Sequence, residues 1–276
     1  MSIIEFISGP LDYHFMNTAL IVSVVVGITL AILSCFLILK GWALLGDAIS
    51  HAVLPGVVLA YIVGIPFGIG AFIAAMLAVV LIGYLKNNTK IKEDAVMGIV
   101  FTTFFAFGTV LISKIISSID LTHVLFGEVL GISNESAWYT TIILTLVSVI
   151  VLTFRRIFTV FCFDPTHAQV LGMPMTLVHY VFLSLLAVAI TGSIQTVGII
   201  LVIAMLITPG STAFLLTKRL SVMIWIAIAV SIFSSIVGVY ASFYIDAATG
   251  GTIVFTQGII FMLVLLYTKL IPQVSR

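Results

Sequence analysis

The chain has 276 residues, of which 62% are hydrophobic and 8% charged, with a formal net charge of +1. Ordinary soluble domains carry about 25% charged and about 45–50% apolar residues, and the mean hydropathy of +1.36 lies far above their range. This excludes a secreted enzyme and a disordered chain, and 11 basic against 10 acidic residues leave no basic face for nucleic acid.

The start of the chain, MSIIEFISGPLDYHF, has no Lys or Arg and carries Glu5 and Asp12. It does not read as a secretory signal. A bilayer core takes roughly 20 apolar residues of helix, and a helix satisfies its own backbone where lipid cannot. Nine stretches qualify: about 17–39, 42–64, 66–84, 95–117, 137–154, 175–193, 195–216, 221–244 and 248–268. The expected fold is an all-α polytopic membrane protein, with 1–276 as a single transmembrane domain. Two places leave eight or ten spans open. The pair 175–193 and 195–216 is divided only at Gly192-Ser193, and 118–136, with LTHVLFGEVLGIS, suits a short re-entrant or interfacial helix. Cys35 falls in an apolar run and Cys162 in a polar connection. Nothing pairs them, so no disulfide is expected.

Orientation follows from the basic residues. With the N-terminus outside and the C-terminus inside, Lys40, Lys86, Lys90, Lys92, Arg155, Arg156, Lys218, Arg219, Lys269 and Arg276 are cytoplasmic. That is ten of the 11 basic residues, with Lys114 alone near the outer face. Trp42, Trp138 and Trp225 fall near span ends, as interfacial tryptophans do. The acidic residues Glu5, Asp12, Asp120, Glu128, Glu135 and Asp246 fall outside.

The segment Leu45-Gly46-Asp47-Ala48-Ile49-Ser50-His51-Ala52-Val53-Leu54-Pro55-Gly56 lies in the second span. An Asp there costs about 2.5–3.5 kcal/mol to insert and marks a functional candidate. Asp47 and His51 are one helical turn apart on one face, so a carboxylate oxygen and an imidazole nitrogen can converge on one cation. Pro55 has no N–H, which frees the carbonyl of His51 beside them. On the residues alone, a metal site and a simple Asp–His hydrogen bond both stay open.

Phe163-Asp164-Pro165-Thr166-His167-Ala168-Gln169-Val170-Leu171-Gly172-Met173-Pro174 falls in the cytoplasm and reads as a short helix over about 164–172. Asp164 suits the N-cap, Pro165 the first helical position, Gly172 the residue after the C-cap, and Pro174 blocks continuation. In Val197-Gly198…Met205…Pro209-Gly210, Pro209 frees the carbonyl of Met205 in the same way. Gly198, Ala204 and Gly210 permit close packing. Met205 itself reads as core rather than ligand.

The LGDAISHAVLPG block resembles the signature of the membrane permeases of manganese/zinc/iron-type ABC importers. Lys40-Gly41, the Lys-rich loop at 86–92, Leu-Phe-Gly at 125–127, the Phe163-Asp164 loop and the Val197-Gly198…Pro209 helix extend the resemblance along the chain. It implies a permease of the bacterial cytoplasmic membrane that works as a homodimer. Two cytosolic ATP-binding subunits would drive it and an extracellular metal-binding lipoprotein would feed it. It further implies that Asp47 and His51 are metal-path ligands, that Pro55, Met205 and Pro209 belong to pathway helices, and that Asp164, Pro165, Ala168 and Gly172 belong to a coupling helix docked on the ATPase.

The chain has no G-x-x-x-x-G-K-[ST] phosphate loop, so ATP, like any catalysis, belongs to a separate subunit. No resident cofactor is expected; the metal is cargo. An intramembrane hydrolase is disfavoured because Ser50 and His51 are adjacent and point about 100° apart. An ion-coupled secondary transporter is disfavoured by the lack of internal repeats and of further intramembrane acids. Oxygen plus nitrogen donors without Cys suit Mn²⁺, Fe²⁺ or Zn²⁺ rather than Cu⁺. The resemblance favours manganese.

Overall fold

The computed structural model describes residues 9–10, 12–114, 129–163 and 172–270. Among the described residues, ten α-helices of known bounds follow one another: α1 (His14–Lys40), α2 (Ala43–Val63), α3 (Phe67–Asn88), α4 (Glu93–Lys114), α5 (Asn134–Thr153), α6 (Arg155–Phe163), α7 (Met175–Val197), α8 (Ile199–Leu216), α9 (Leu220–Ile245) and α10 (Thr249–Leu270). Among the described residues, nine helices, all but α6, are long and apolar enough to cross a membrane. Of the stretch 118–136, the described part holds a single 3-10 turn, Val129–Gly131, and the start of α5. The remainder lies outside the described residues.

α1 is the central post, packed against α5, α8 and α9, while α2, α3 and α4 form a second group bound to it through α7 and α8. Lipid gives helices no hydrophobic reason to associate, so small residues and close contact must hold them. α2 and α3 meet at Gly56 and Gly70, where a Cβ on either would collide with the other's backbone. α8 meets α1 at Gly210, whose N–H donates to Ser34 Oγ at 3.0 Å.

The structure departs from the sequence reading in three places. The break between α7 and α8 falls at Gly198, not at Gly192-Ser193. Ser193 donates to the Ala189 carbonyl at 2.7 Å and Thr191 to the Ala187 carbonyl at 2.8 Å. Small polar side chains thus bond to their own helix and let it continue. Gly198 ends it, with φ 80° and ψ 164°, a conformation closed to side-chain-bearing residues.

The second departure is α6, in the stretch read as a polar connection around Cys162. It is an amphipathic helix that buries Phe158, Phe161 and Cys162 and exposes Arg155 and Arg156. Both cysteines are free and buried. The third is Trp42, which is only 5% exposed. It is no lipid anchor: its ring packs edge-on to Phe161 and His179 and lies under the Lys40 and Lys86 ammonium groups. Trp138 and Trp225, exposed by 69% and 72%, fit the interfacial role.

Candidate functional site

α2 carries the site because its sequence divides by face. Leu45, Ala48, Ile49 and Ala52 are buried in the bundle, whereas Asp47 and His51 share the opposite, partly open side. Gly46 lets α8 approach closely, since a Cβ there would stand 2.9 Å from Leu206 Cδ1. Asp47 Oδ1 and His51 Nε2 are 3.3 Å apart, with side-chain exposures of 29% and 20%. The helical spacing therefore does bring the two together, and it leaves them reachable.

The imidazole is held by aromatic packing. Phe101 and Phe105, one turn apart on α4, stand 4.9 Å and 5.2 Å from it between ring centroids. His51 Nδ1 is buried and has no hydrogen-bond partner among the described residues. Two phenyl rings, rather than a hydrogen-bond acceptor, pack on the ring and hold it in place. α4 comes this close because Gly108 lies against Leu54 and Pro55, where a Cβ would sit 2.9 Å from the Leu54 side chain.

Ser50, the remaining polar residue of the block, is fully buried and donates to the Gly46 carbonyl at 2.8 Å. It is turned into its own helix and has no nucleophilic geometry toward His51. No group of three or more His, Cys, Asp or Glu side chains converges among the described residues. Among the described residues, α2 thus offers one carboxylate oxygen and one imidazole nitrogen as candidate donors at this place.

Met205 is fully buried, with its Cε 3.6 Å from where a Gly27 Cβ would stand, in keeping with the core reading. At Pro209, Ser34 of α1 accepts from the Gly210 N–H and donates to the Ile207 carbonyl at 3.5 Å. A hydroxyl from a neighbouring helix thus serves the Pro-interrupted turn. Asp164, Pro165 and Ala168 lie outside the described residues. Gly172 adopts φ 72°, the left-handed conformation that a residue following a helix C-cap takes.

With this geometry in place, comparison with known proteins is decisive. Residues 12–268 match the profile of the ABC 3 transport family. The chain belongs to that family. It is a multi-pass membrane permease of the metal-import type, a transport subunit rather than an enzyme. The chelated iron transport system membrane protein YfeD of Yersinia pestis is 48% identical over 270 residues, covering 98% of this chain and 91% of the relative. The manganese transport system membrane protein MntB of Synechocystis is 49% identical over 257 residues, covering 93% and 84%. The solved structure of PsaBC from Streptococcus pneumoniae in complex with a Fab superposes with a TM-score of 0.87 at 38% identity, covering 97% of this chain and 99% of that one.

Within this ABC 3 permease, reading the sequence did not find Phe101, Phe105 and Ser34. The first two lie in a run of aromatic and small apolar residues that no spacing distinguishes. Ser34 is a lone hydroxyl in an apolar helix. A serine on a span is often bonded to its own backbone, and only the meeting of α1 with the Pro209 turn shows otherwise.

Proposed function

We propose that this permease conducts a divalent transition-metal ion inward, with manganese the leading cargo and iron or zinc the alternatives, and that the ion passes between Asp47 and His51. The Asp47–His51 pair carries this reading. An ion about 2.0–2.2 Å from a carboxylate oxygen and an imidazole nitrogen holds those atoms roughly 3 Å apart, close to the 3.3 Å in this protein. One oxygen and one nitrogen form a borderline-hard donor set, which suits Mn²⁺, Fe²⁺ and Zn²⁺ and disfavours Cu⁺. Pro55 leaves the His51 carbonyl without its helical N–H partner. Two side-chain ligands leave the shell mostly to water, so the ion is held weakly enough to move on. The relatives' names support manganese or iron as cargo.

A second copy of the chain completes the path in this proposal. Two cytosolic ATP-binding subunits supply the energy through the 164–172 segment, and an extracellular metal-binding lipoprotein delivers the ion. The test is ATP hydrolysis by the reconstituted complex with Mn²⁺, Fe²⁺ and Zn²⁺ supplied side by side through the binding protein. Stimulation strongest with Mn²⁺ is expected. Stimulation by none of the three would overturn the reading.

A further inference from the structure

The end of the bundle that carries the basic residues holds a second feature, separate from α2. Where α5 gives way to α6, and α9 begins beside them, a cavity of about 780 Å³ is lined by Arg155, Arg156 and Arg219. Among the described residues, the ion pairs are Asp47–His51 and Lys86–Glu93, so none of the three guanidinium groups has a carboxylate partner. Three like charges around one cavity repel one another, and an anion between them relieves that energy. Ser221 adds a hydroxyl to the lining, whereas that of Thr159 is donated to the Arg155 carbonyl at 2.6 Å. The N-terminus of α9, where Arg219 provides no side-chain cap, adds the positive end of a 26-residue helix dipole.

The surroundings decide what kind of anion fits. Val160 and Val222 give the cavity an apolar side. Val222 lines it, and Phe154 and Trp225 are next in sequence to the lining residues Arg155 and Ile224; the three are exposed by 43%, 49% and 72% respectively. On a bundle of membrane spans, exposed large apolar side chains meet acyl chains, and a tryptophan at a span end sits at headgroup depth. Trp225 follows Ser221 by one turn on the same face of α9. Cationic groups thus stand at the level of the phosphates with apolar surface just beside them. We propose that this cavity binds the phosphodiester headgroup of an anionic phospholipid, with the arginines clamping the phosphate through paired N–H donors and the acyl chains lying along Trp225 and Val222. A basic pocket between spans is the physical form such a site takes.

The test uses the full chain in a zwitterionic detergent, titrated with phosphatidylglycerol or phosphatidylcholine and read by native mass spectrometry and thermal unfolding. Phosphatidylglycerol is expected to bind and raise the unfolding temperature, and phosphatidylcholine to do neither. The triple variant R155Q/R156Q/R219Q is expected to bind phosphatidylglycerol roughly a hundredfold more weakly, at about fivefold per charge. The triple lysine variant is expected to keep most of the binding. Equal phosphatidylglycerol affinity in the wild type and the glutamine variant would overturn the proposal. Displacement of the lipid by millimolar inorganic phosphate would overturn it in favour of a soluble anion. Loss of ATPase co-purification with lipid binding intact would make the cavity a protein-docking surface instead. The wild-type comparison of the two lipids decides the matter even if the glutamine variant does not fold. Metal uptake by cells is read separately and tests the transport proposal alone.

Discussion

At His51 the two ring nitrogens have unequal surroundings. Nε2 faces Asp47, and Nδ1 is buried without a partner. If the pair is only a packing contact, Asp47→Asn preserves it, because an amide oxygen still accepts from the imidazole. If the pair coordinates a cation, the lost anionic ligand cannot be replaced. Asp47→Asn and His51→Gln are each expected to abolish uptake of radioactive manganese at matched membrane levels while the complex still assembles. Near-normal uptake in both variants would remove the ligand assignment. Cys162 shows burial acting on a different group. Its thiol reaches the Phe36 carbonyl at 3.9 Å, and desolvation pushes its pKa up to about 11 although the Lys40 ammonium pulls it down. Only the thiolate reacts with alkylating reagents, so the upward shift keeps the reactive form scarce at neutral pH and defers it to strongly alkaline pH. At pH 8, native-state alkylation of Cys162 is expected to be roughly a hundredfold slower than that of an exposed cysteine, as the difference in thiolate fraction requires. Mass spectrometry after timed labelling checks this. Comparable rates would mean that α6 opens readily.

At the scale of elements, the site depends on α4 pressing against α2. Phe101 and Phe105 pack on the His51 ring, and in the proposed path they hold it as a hydrogen-bonded partner holds other ligand histidines, a support worth about tenfold to a hundredfold in metal affinity. Phe101→Ala and Phe105→Ala are therefore expected to raise the manganese concentration for half-maximal uptake by roughly tenfold, with protein levels unchanged. An uptake curve identical to wild type would show that the backbone of α2 alone fixes the imidazole. These two residues also mark how far the sequence could be read. Asp47 and His51 were legible because ionisable residues are rare in a chain with 8% charged residues, and a spacing of four on a helix has one geometric meaning. Phenylalanine occurs 20 times and fills lipid-facing and core positions alike, so no single copy stands out. Span existence was equally legible, since each span is a long apolar run. The boundary at Gly198 was not, because Gly192-Ser193 offers the same residue types and only the local hydrogen bonds of Thr191 and Ser193 decide against it. The α6 helix was hidden for a related reason. Its two arginines dominate a nine-residue segment whose apolar face becomes visible only when Phe158, Phe161 and Cys162 are set at their helical spacing.

For the whole molecule, the same nine spans constrain where charge can lie. Successive spans alternate in direction, so the ends of the odd-numbered spans share one face. Lys40 ends α1, Lys86 lies near the end of α3, Arg155 follows α5, Lys218 follows α8 and Lys269 lies near the end of α10. These are the first, third, fifth, seventh and ninth spans, and the basic residues gather at their common face. Lys114, at the end of the fourth span, lies opposite. We therefore propose, from the positive-inside rule, that the basic face is cytoplasmic, the orientation that coupling to an ATP-binding subunit through 164–172 requires. The buried native cysteines leave a quiet background for labelling. A cysteine introduced at Ser2 is expected to react with a membrane-impermeant maleimide in intact cells, and one at Ser275 only after the cells are permeabilised. Labelling of both from the outside would require an even number of crossings and therefore one more or one fewer span than the nine. Labelling of Ser275 alone would invert the molecule, place the basic face outside and remove the basis for coupling through 164–172.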